Sequence, residues 1–284
     1  MSNTFDVARS GVGSGHAASE AGQGGRSRSC SVLGMRVDEF DYESAVDTLR
    51  DWCDGRSNYV CCSTVHMVME SYDRADFQRY VNSADMVVSD GVPIVWVTRK
   101  LGLARQIRVD APTLTLKLCE MAAREGIPIG FYGSSRTVID DLVKALTDRY
   151  PALKIAYSLS PPFRPLTAEE DEKIVEEIRR SGARLLFVGL GCPKQEKWMF
   201  EHRGRIPATM LGVGWTFDVL SGHSKMAPRW IQNSGMEWFY RLVRNPRKLW
   251  RRHLVHNPRF VVLAALQLMG RGQFPLKFDG GATV

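Results

Sequence analysis

The 284-residue chain has no apolar run of about 18 residues, so its sequence offers no helix long enough to span a bilayer. The first thirty residues lack the apolar core of a secretory signal. None of the six cysteines, at 30, 53, 61, 62, 119 and 192, falls into a Cys-x-x-Cys pair. That spacing argues against a zinc site and a disulfide framework, and fits a reducing, cytosolic environment. The G-x-x-x-x-G-K-[ST] spacing of a P-loop is missing, and no G-x-G-x-x-G opens the first βα unit, so both common nucleotide fingerprints are absent. The histidines are scattered, with His66 after the first strand and His253 and His256 near the C-terminus, and no metal-ligand cluster emerges. Asp85 and Asp90 offer thin support for a divalent ion. Nothing resembles an established nucleic-acid-binding module.

What is present is an ordinary globular balance, 44% hydrophobic and 24% charged, which excludes wholesale disorder and fibrous rods. Lys and Arg number 38 against 31 Asp and Glu, a formal net charge of +7 that points to an anionic partner: nucleic acid, nucleotide phosphates or an acidic membrane face. Ser10 to Ser31 is rich in Gly and Ser, and the composition predicts a disordered leader over residues 1–31.

Beyond the leader, short apolar runs read as buried strands: Tyr59 to Cys62, Met86 to Ser89, Ile129 to Tyr132, Lys154 to Tyr157, Leu185 to Val188 and Thr209 to Val213. Helix-period stretches lie between or before them: Asp41 to Cys53, Thr113 to Arg124, Thr137 to Arg149, Ala168 to Ser181 and Lys194 to His202. Strands alternating with amphipathic helices predict an α/β fold, a Rossmann-like parallel sheet covered on both faces, over residues 32–225. From about Met226 the strand pattern stops. Large aromatics and the cluster Arg244, Arg247, Lys248, Arg251 and Arg252 predict a basic helical appendage over 226–272, either lying in an anionic membrane interface or packed as a solvated helix, with a flexible tail over 273–284.

Several strands end in small residues: Ser89-Asp90-Gly91, Gly133-Ser134-Ser135, Gly189-Leu190-Gly191 and Gly212-Val213-Gly214. In an open parallel sheet these carboxyl ends form the ligand crevice, and glycines there let a phosphate approach backbone N–H groups. Tight turns alone also call for glycine. Asp90 follows a buried strand directly, a seat for a general base or, equally, for the N-cap of a helix over Gly91 to Arg99. Arg108 stands between helical segments, where its fork could reach a diphosphate. Pro193 suits the first turn of a helix that would place Lys194 and Gln195 beside its positive end. Trp215 and Phe217 could stack a ring or belong to the core.

Asp90-Gly91-Val92-Pro93, Trp96, Arg108, the block Gly189 to Glu196 containing Pro-Lys-Gln-Glu, then Gly212-Val213-Gly214, Phe217-Asp218, Gly222, Ala227-Pro228 and Glu237-Trp238-Phe239-Tyr240-Arg241-Leu242 resemble the WecG/TagA/CpsF glycosyltransferases over roughly Val32 to Phe260. The resemblance implies an inverting, metal-free and cofactor-free transfer of a sugar from a UDP-sugar to a polyprenyl-diphosphate-linked sugar, in bacterial cell-surface or exopolysaccharide synthesis. It implies a protein peripheral to the inner face of the plasma membrane. By motif, Asp90 resembles the catalytic base, Arg108 an arginine on diphosphate and Gln195 the active-site glutamine. Thr64, Gly133, Gly189, Gly191, Lys194 and Gly214 are the expected substrate contacts, joined by Phe217, Asp218, Arg241 and Arg247. Two departures stand out. Thr64 occupies a position where asparagine is common, and Val109-Asp110-Ala111-Pro112 lacks the usual glycine after the arginine, changes expected to bear on sugar specificity or activity. A non-catalytic nucleotide-sugar-binding protein is the rival reading; donor sugar and oligomeric state, a homo-oligomer included, stay open.

Overall fold

The structure is a computed structural model that describes residues 27–228, 230–231, 234–244, 246–272 and 274, with the side chains at 241, 248, 249 and 251–253 excepted. Residues 1–26 of the expected leader and nearly all of the expected tail lie outside the described residues.

Six strands form one parallel sheet in the order β4-β3-β8-β7-β5-β6, with β3 at Tyr59–Ser63, β4 at Met86–Ser89, β5 at Ile129–Gly133, β6 at Ile155–Leu159, β7 at Leu185–Gly189 and β8 at Thr209–Gly212. All six coincide with the apolar runs, and the Rossmann-like α/β architecture is as expected. The central strands are buried on both faces, which is why they read as continuous apolar runs. Alternate residues feed two cores. Cys61, Val87, Leu186, Val188 and Met210 pack into one layer, and Val60, Cys62, Val88, Phe131, Phe187 and Leu211 into the other. Only β6 alternates between half-buried and exposed positions, as a half-covered edge strand does.

The helices between the strands are α1 (Tyr42–Asp51), α2 (Val65–Asp73), α3 (Ala75–Asn82), α4 (Val92–Lys100), α5 (Ala111–Glu125), α6 (Arg136–Arg149), α7 (Ala168–Ser181) and α8 (Lys194–His202), and the short α9 (Thr216–Leu220) follows β8. Their starts are chemically marked. Asp41, Thr64, Asp110, Ser135 and Thr167 each accept a backbone N–H of the first turn, and Thr167 forms a reciprocal box with Glu170.

One element was not legible in the sequence. Ser29–Val32 (β1) and Met35–Asp38 (β2) form an antiparallel hairpin through a turn with Leu33 at φ 52° and Gly34 at φ 88°. Residues 29–31, expected in the leader, therefore belong to a strand. The hairpin covers the β4 edge: Asp38 accepts the Val87 N–H at 2.8 Å and Arg36 donates to the Ala84 carbonyl at 2.5 Å, so backbone groups of that edge meet partners rather than solvent.

After β8 the chain forms α10 (Glu237–Arg244) and α11 (Pro246–Leu268). Helix α11 buries Phe260 and Ala264 in the same core layer as Cys61 and Val87. Its Gln267 bridges to the hairpin, accepting the Leu33 N–H and donating to the Ser31 carbonyl, and Arg259 grips Asp73 of α2 through both nitrogens at 2.7 and 2.9 Å.

Candidate active site

The carboxyl ends of β3, β4, β5, β7 and β8 open into one cavity of about 1530 Å³, walled on its far side by α10 and α11. That volume exceeds what one small ligand fills and accommodates two substrates end to end. Thr64, Asp90, Arg108, Ser134, Gly191, Gln195 and Asp218 supply the polar wall, and Phe260, Val261, Ala264 and Leu268 an apolar one.

Asp90 ends β4, where its own N–H and that of Gly91 donate to the Ser63 carbonyl at 3.0 and 3.1 Å. The N-cap of α4 is Gly91, without a side-chain cap, so Asp90 is not spent on capping. Its carboxylate turns instead to Arg108, whose Nη2 lies 3.4 Å from Oδ1 while Nε donates to the Asp90 carbonyl at 2.6 Å. The same Nη2 donates to Glu237 Oε2 at 2.7 Å, from the first turn of α10. Burial pushes the Asp90 carboxyl up to about 7; Arg108 pulls against that rise, and Asp110 and Glu237 add to it. Arg108, despite its own burial, is pushed up by the carboxylates of Asp90, Glu237 and Asp110 and stays cationic. Asp110 is itself fixed in place, capping α5 and accepting a short hydrogen bond from the Tyr42 hydroxyl.

Gln195, 4% exposed, reaches the crevice from α8 with both ends of its amide engaged: Oε1 accepts the Gly191 N–H at 3.1 Å and Nε2 donates to Glu196 at 2.8 Å. It thereby shapes the Gly189–Gly191 turn. A Cβ on Gly212 would come within 3.0 Å of its Nε2, so glycine there makes room for the amide. Thr64 lines the cavity while capping α2 through its hydroxyl. Asp218 and Gly214 line it as well.

Other expected contacts lie elsewhere. Phe217 is wholly buried, edge-on to Phe131 with centroids 5.7 Å apart, so its ring belongs to the core and presents no face to a ligand. Gly133 is absent from the cavity wall; with φ 126° and the Gly189 backbone 2.5 Å from any Cβ, it is glycine because two strand ends touch. Gly189 does line the cavity, yet its glycine is also required by the Phe217 ring, 2.5 Å from a Cβ. Lys194 is exposed and stands outside the wall, as does Arg247. The Arg241 side chain lies outside the described ones. Asp85 and Asp90 sit at opposite ends of β4 and form no pair; Asp85 accepts the Tyr59 N–H and binds Arg203. Two functional candidates escaped the sequence reading. Glu237 was visible there only as the first letter of a motif, and Arg244, at the cavity rim with its guanidinium 5.1 Å from the Tyr240 ring, only as one of a basic run.

Fold and crevice define a Rossmann-like α/β protein whose site stands at the carboxyl ends of the sheet, closed over by the C-terminal helices. A sequence model described as "Glycosyl transferase WecG/TagA/CpsF family" matches residues 30–273, and the chain belongs to that family. It is a glycosyltransferase. It is 31% identical over 180 residues, 63% of this chain and 68% of the relative, to the N-acetylglucosaminyldiphosphoundecaprenol N-acetyl-beta-D-mannosaminyltransferase of Bacillus subtilis (strain 168). To the protein of the same name from Bacillus spizizenii it is 28% identical over 197 residues, 69% of this chain and 74% of the relative. Among the described residues no helix is long and apolar enough to cross a membrane.

Proposed function

We propose that the protein transfers a sugar, with inversion, from a UDP-sugar to a polyprenyl-diphosphate-linked sugar at the inner face of the plasma membrane, in cell-surface or exopolysaccharide synthesis. The observation that carries this reading is Asp90: a carboxyl raised to about 7 by burial, at the lip of a two-substrate cavity, beside Arg108, whose guanidinium it shares with Glu237 from the C-terminal helices. A base must reach the hydroxyl it deprotonates and must have a pKa near the working pH; Asp90 lines the cavity, and burial holds its carboxyl near 7. The names of the two relatives support an acceptor of the N-acetylglucosaminyl-diphosphoundecaprenol kind and an N-acetylmannosaminyl group as the first donor to try.

In this scheme Asp90 takes the proton of an acceptor hydroxyl as its oxygen attacks the anomeric carbon from the face opposite UDP. The bond to the β-phosphate oxygen breaks and UDP leaves. Charge developing on that phosphate meets Arg108, the rim guanidinium of Arg244 and backbone N–H groups of the Gly189–Gly191 and Gly212–Gly214 turns, fixed donors of the kind that supply the largest catalytic contribution. The apolar wall of α11 faces the first isoprene units of the acceptor. The test is a panel of UDP-sugars offered with a short-chain polyprenyl-diphosphate sugar, product read by mass. Asp90→Asn is expected to lower turnover by at least about 10³-fold with UDP binding retained. Full activity of that variant removes the base assignment, and UDP-sugar binding without product from any acceptor favours the non-catalytic reading.

A further inference from the structure

A second cluster of chemistry-bearing side chains has no part in the transfer scheme, although one member, His66, lines the crevice. His66 opens α2 immediately after β3, and Glu70 lies one turn further along the same face. Helix α11 delivers His256 from 190 residues away, its Nδ1 3.4 Å from the Nδ1 of His66 and the two rings 5.2 Å apart with a tilt of 40°. Glu70 Oε1 is 3.9 Å from the His66 nitrogen, and the three ligand atoms all lie within 4.8 Å of one another. The other Glu70 oxygen faces Arg74 at 3.9 Å, which leaves Oε1 toward the histidines. Both His66 and Glu70 are largely shielded from water, with side-chain exposures of 14% and 20%.

We propose that His66, Glu70 and His256 bind a transition-metal ion with tetrahedral preference, zinc(II) above all, which clips the C-terminal helix onto the sheet domain. The argument is geometric. Zinc holds nitrogen and oxygen ligands at roughly 2.0–2.2 Å, so neighbouring ligand atoms of a tetrahedron stand about 3.3–3.6 Å apart. The two imidazole nitrogens are already at that separation. The carboxylate has to close by at most about 1.4 Å, within reach of a side-chain rotation. Two imidazoles and one carboxylate form a borderline-soft set that suits zinc better than magnesium or calcium, and the fourth position is left for water or an anion. Protons balance without a co-reactant: the imidazole that donates in the Nδ1···Nδ1 contact moves its proton to Nε2, and both Nδ1 lone pairs then face the ion. The Arg259–Asp73 pair ties the same two helices one turn further along, so the ion reinforces an existing seam. Because α11 walls the cavity, its hold on α2 fixes the shape of that wall.

The experiment is zinc(II) titration of the chelator-stripped full chain by calorimetry, with cobalt(II) as a spectroscopic stand-in. One ion per chain is expected, with the visible bands of tetrahedral cobalt and a higher Tm in zinc. His66→Ala and His256→Ala should each weaken zinc at least about 100-fold, and His223→Ala should leave it unchanged. His256→Phe keeps a ring against His66 but offers no ligand, whereas His256→Cys offers one; the Cys variant should recover affinity and the Phe variant should not. Absence of saturable 1:1 binding in the unaltered chain overturns the proposal. So does full affinity in the His66→Ala/His256→Ala double variant, or equal affinity in the Phe and Cys variants. None of these readouts depends on glycosyl transfer.

Discussion

At the scale of single residues, the site turns on how Arg108 is shared. Its Nη2 stands between Asp90 and Glu237, so the charge that steadies the proposed base is divided with a carboxylate from α10. Asp90 works as a base only when ionised. With burial holding its carboxyl near 7, kcat/KM is expected to rise with pH through about 7 and level off above. Glu237 raises that value, so Glu237→Gln should move the rising limb to lower pH, by roughly 0.5–1 unit, since one negative neighbour is removed and Arg108 is freed for Asp90. Arg108→Met should do the opposite, moving the limb upward while lowering the plateau by about 10²–10³-fold. Opposite displacements in the two pH–rate profiles are the decisive sign, and displacement in one direction by both variants would separate Arg108 from Asp90. Asp90 was legible in the sequence because a polar residue directly after a buried strand must emerge at the sheet's carboxyl end. Glu237 was not, because its partner lies 129 residues away.

At the scale of elements, two glycines expected to cradle phosphate are explained by packing. The β5 and β7 ends approach so closely that Gly133 abuts the Gly189 backbone, and Gly189 in turn abuts the Phe217 ring of α9. Gly189→Ala should therefore destabilise the fold by about 1–3 kcal/mol through overpacking, measured by urea denaturation. Phe217→Leu costs something alone, yet combined with Gly189→Ala it should recover part of the loss, since the smaller side chain yields the space the methyl needs. Strict additivity in that cycle would dissociate the two positions. The longer helices between the strands, α5, α6 and α7, were legible in their spacing. Helices α2 and α3, nine and eight residues long, offer barely two turns each over which a spacing could repeat, and neither was read from the sequence. The hairpin escaped because its turn carries Leu33-Gly34 in place of the Asn-Gly or Asp-Gly that marks such turns.

At the scale of the whole molecule, large apolar side chains stay exposed on the cavity wall and on the C-terminal helices that close it. Trp96, whose ring lies against Gly235, is 54% exposed, and Phe239 and Trp250 on α10 and α11 are exposed to a similar degree. Exposed apolar side chains on the same helices as exposed cations such as Arg247 are the composition of an interfacial surface, which in the proposed scheme would bring the crevice to a lipid-borne substrate. Replacing Trp96, Phe239 and Trp250 with Ser should sharply reduce co-sedimentation with liposomes containing anionic lipid. Replacing Arg247, Arg251 and Arg252 should weaken binding by about 1 kcal/mol per charge lost, an effect that fades as salt rises. Undiminished sedimentation of both triple variants would refute interfacial docking by this face.

By itself the sequence determined the six strands, the longer helices between them, and the emergence of Asp90, Gly191 and Gln195 at one end of the sheet. Burial on two faces demands continuous apolar runs, and a parallel sheet sends every following loop to the same side. The tertiary structure alone decided that Phe217 packs inward, that Lys194 stands outside the cavity, that Glu237 meets Arg108 and that His256 meets His66. Those outcomes depend on the order of strands in the sheet and on the C-terminal helices folding back across it. Such contacts join residues too far apart in the chain for any local pattern of polarity to record them.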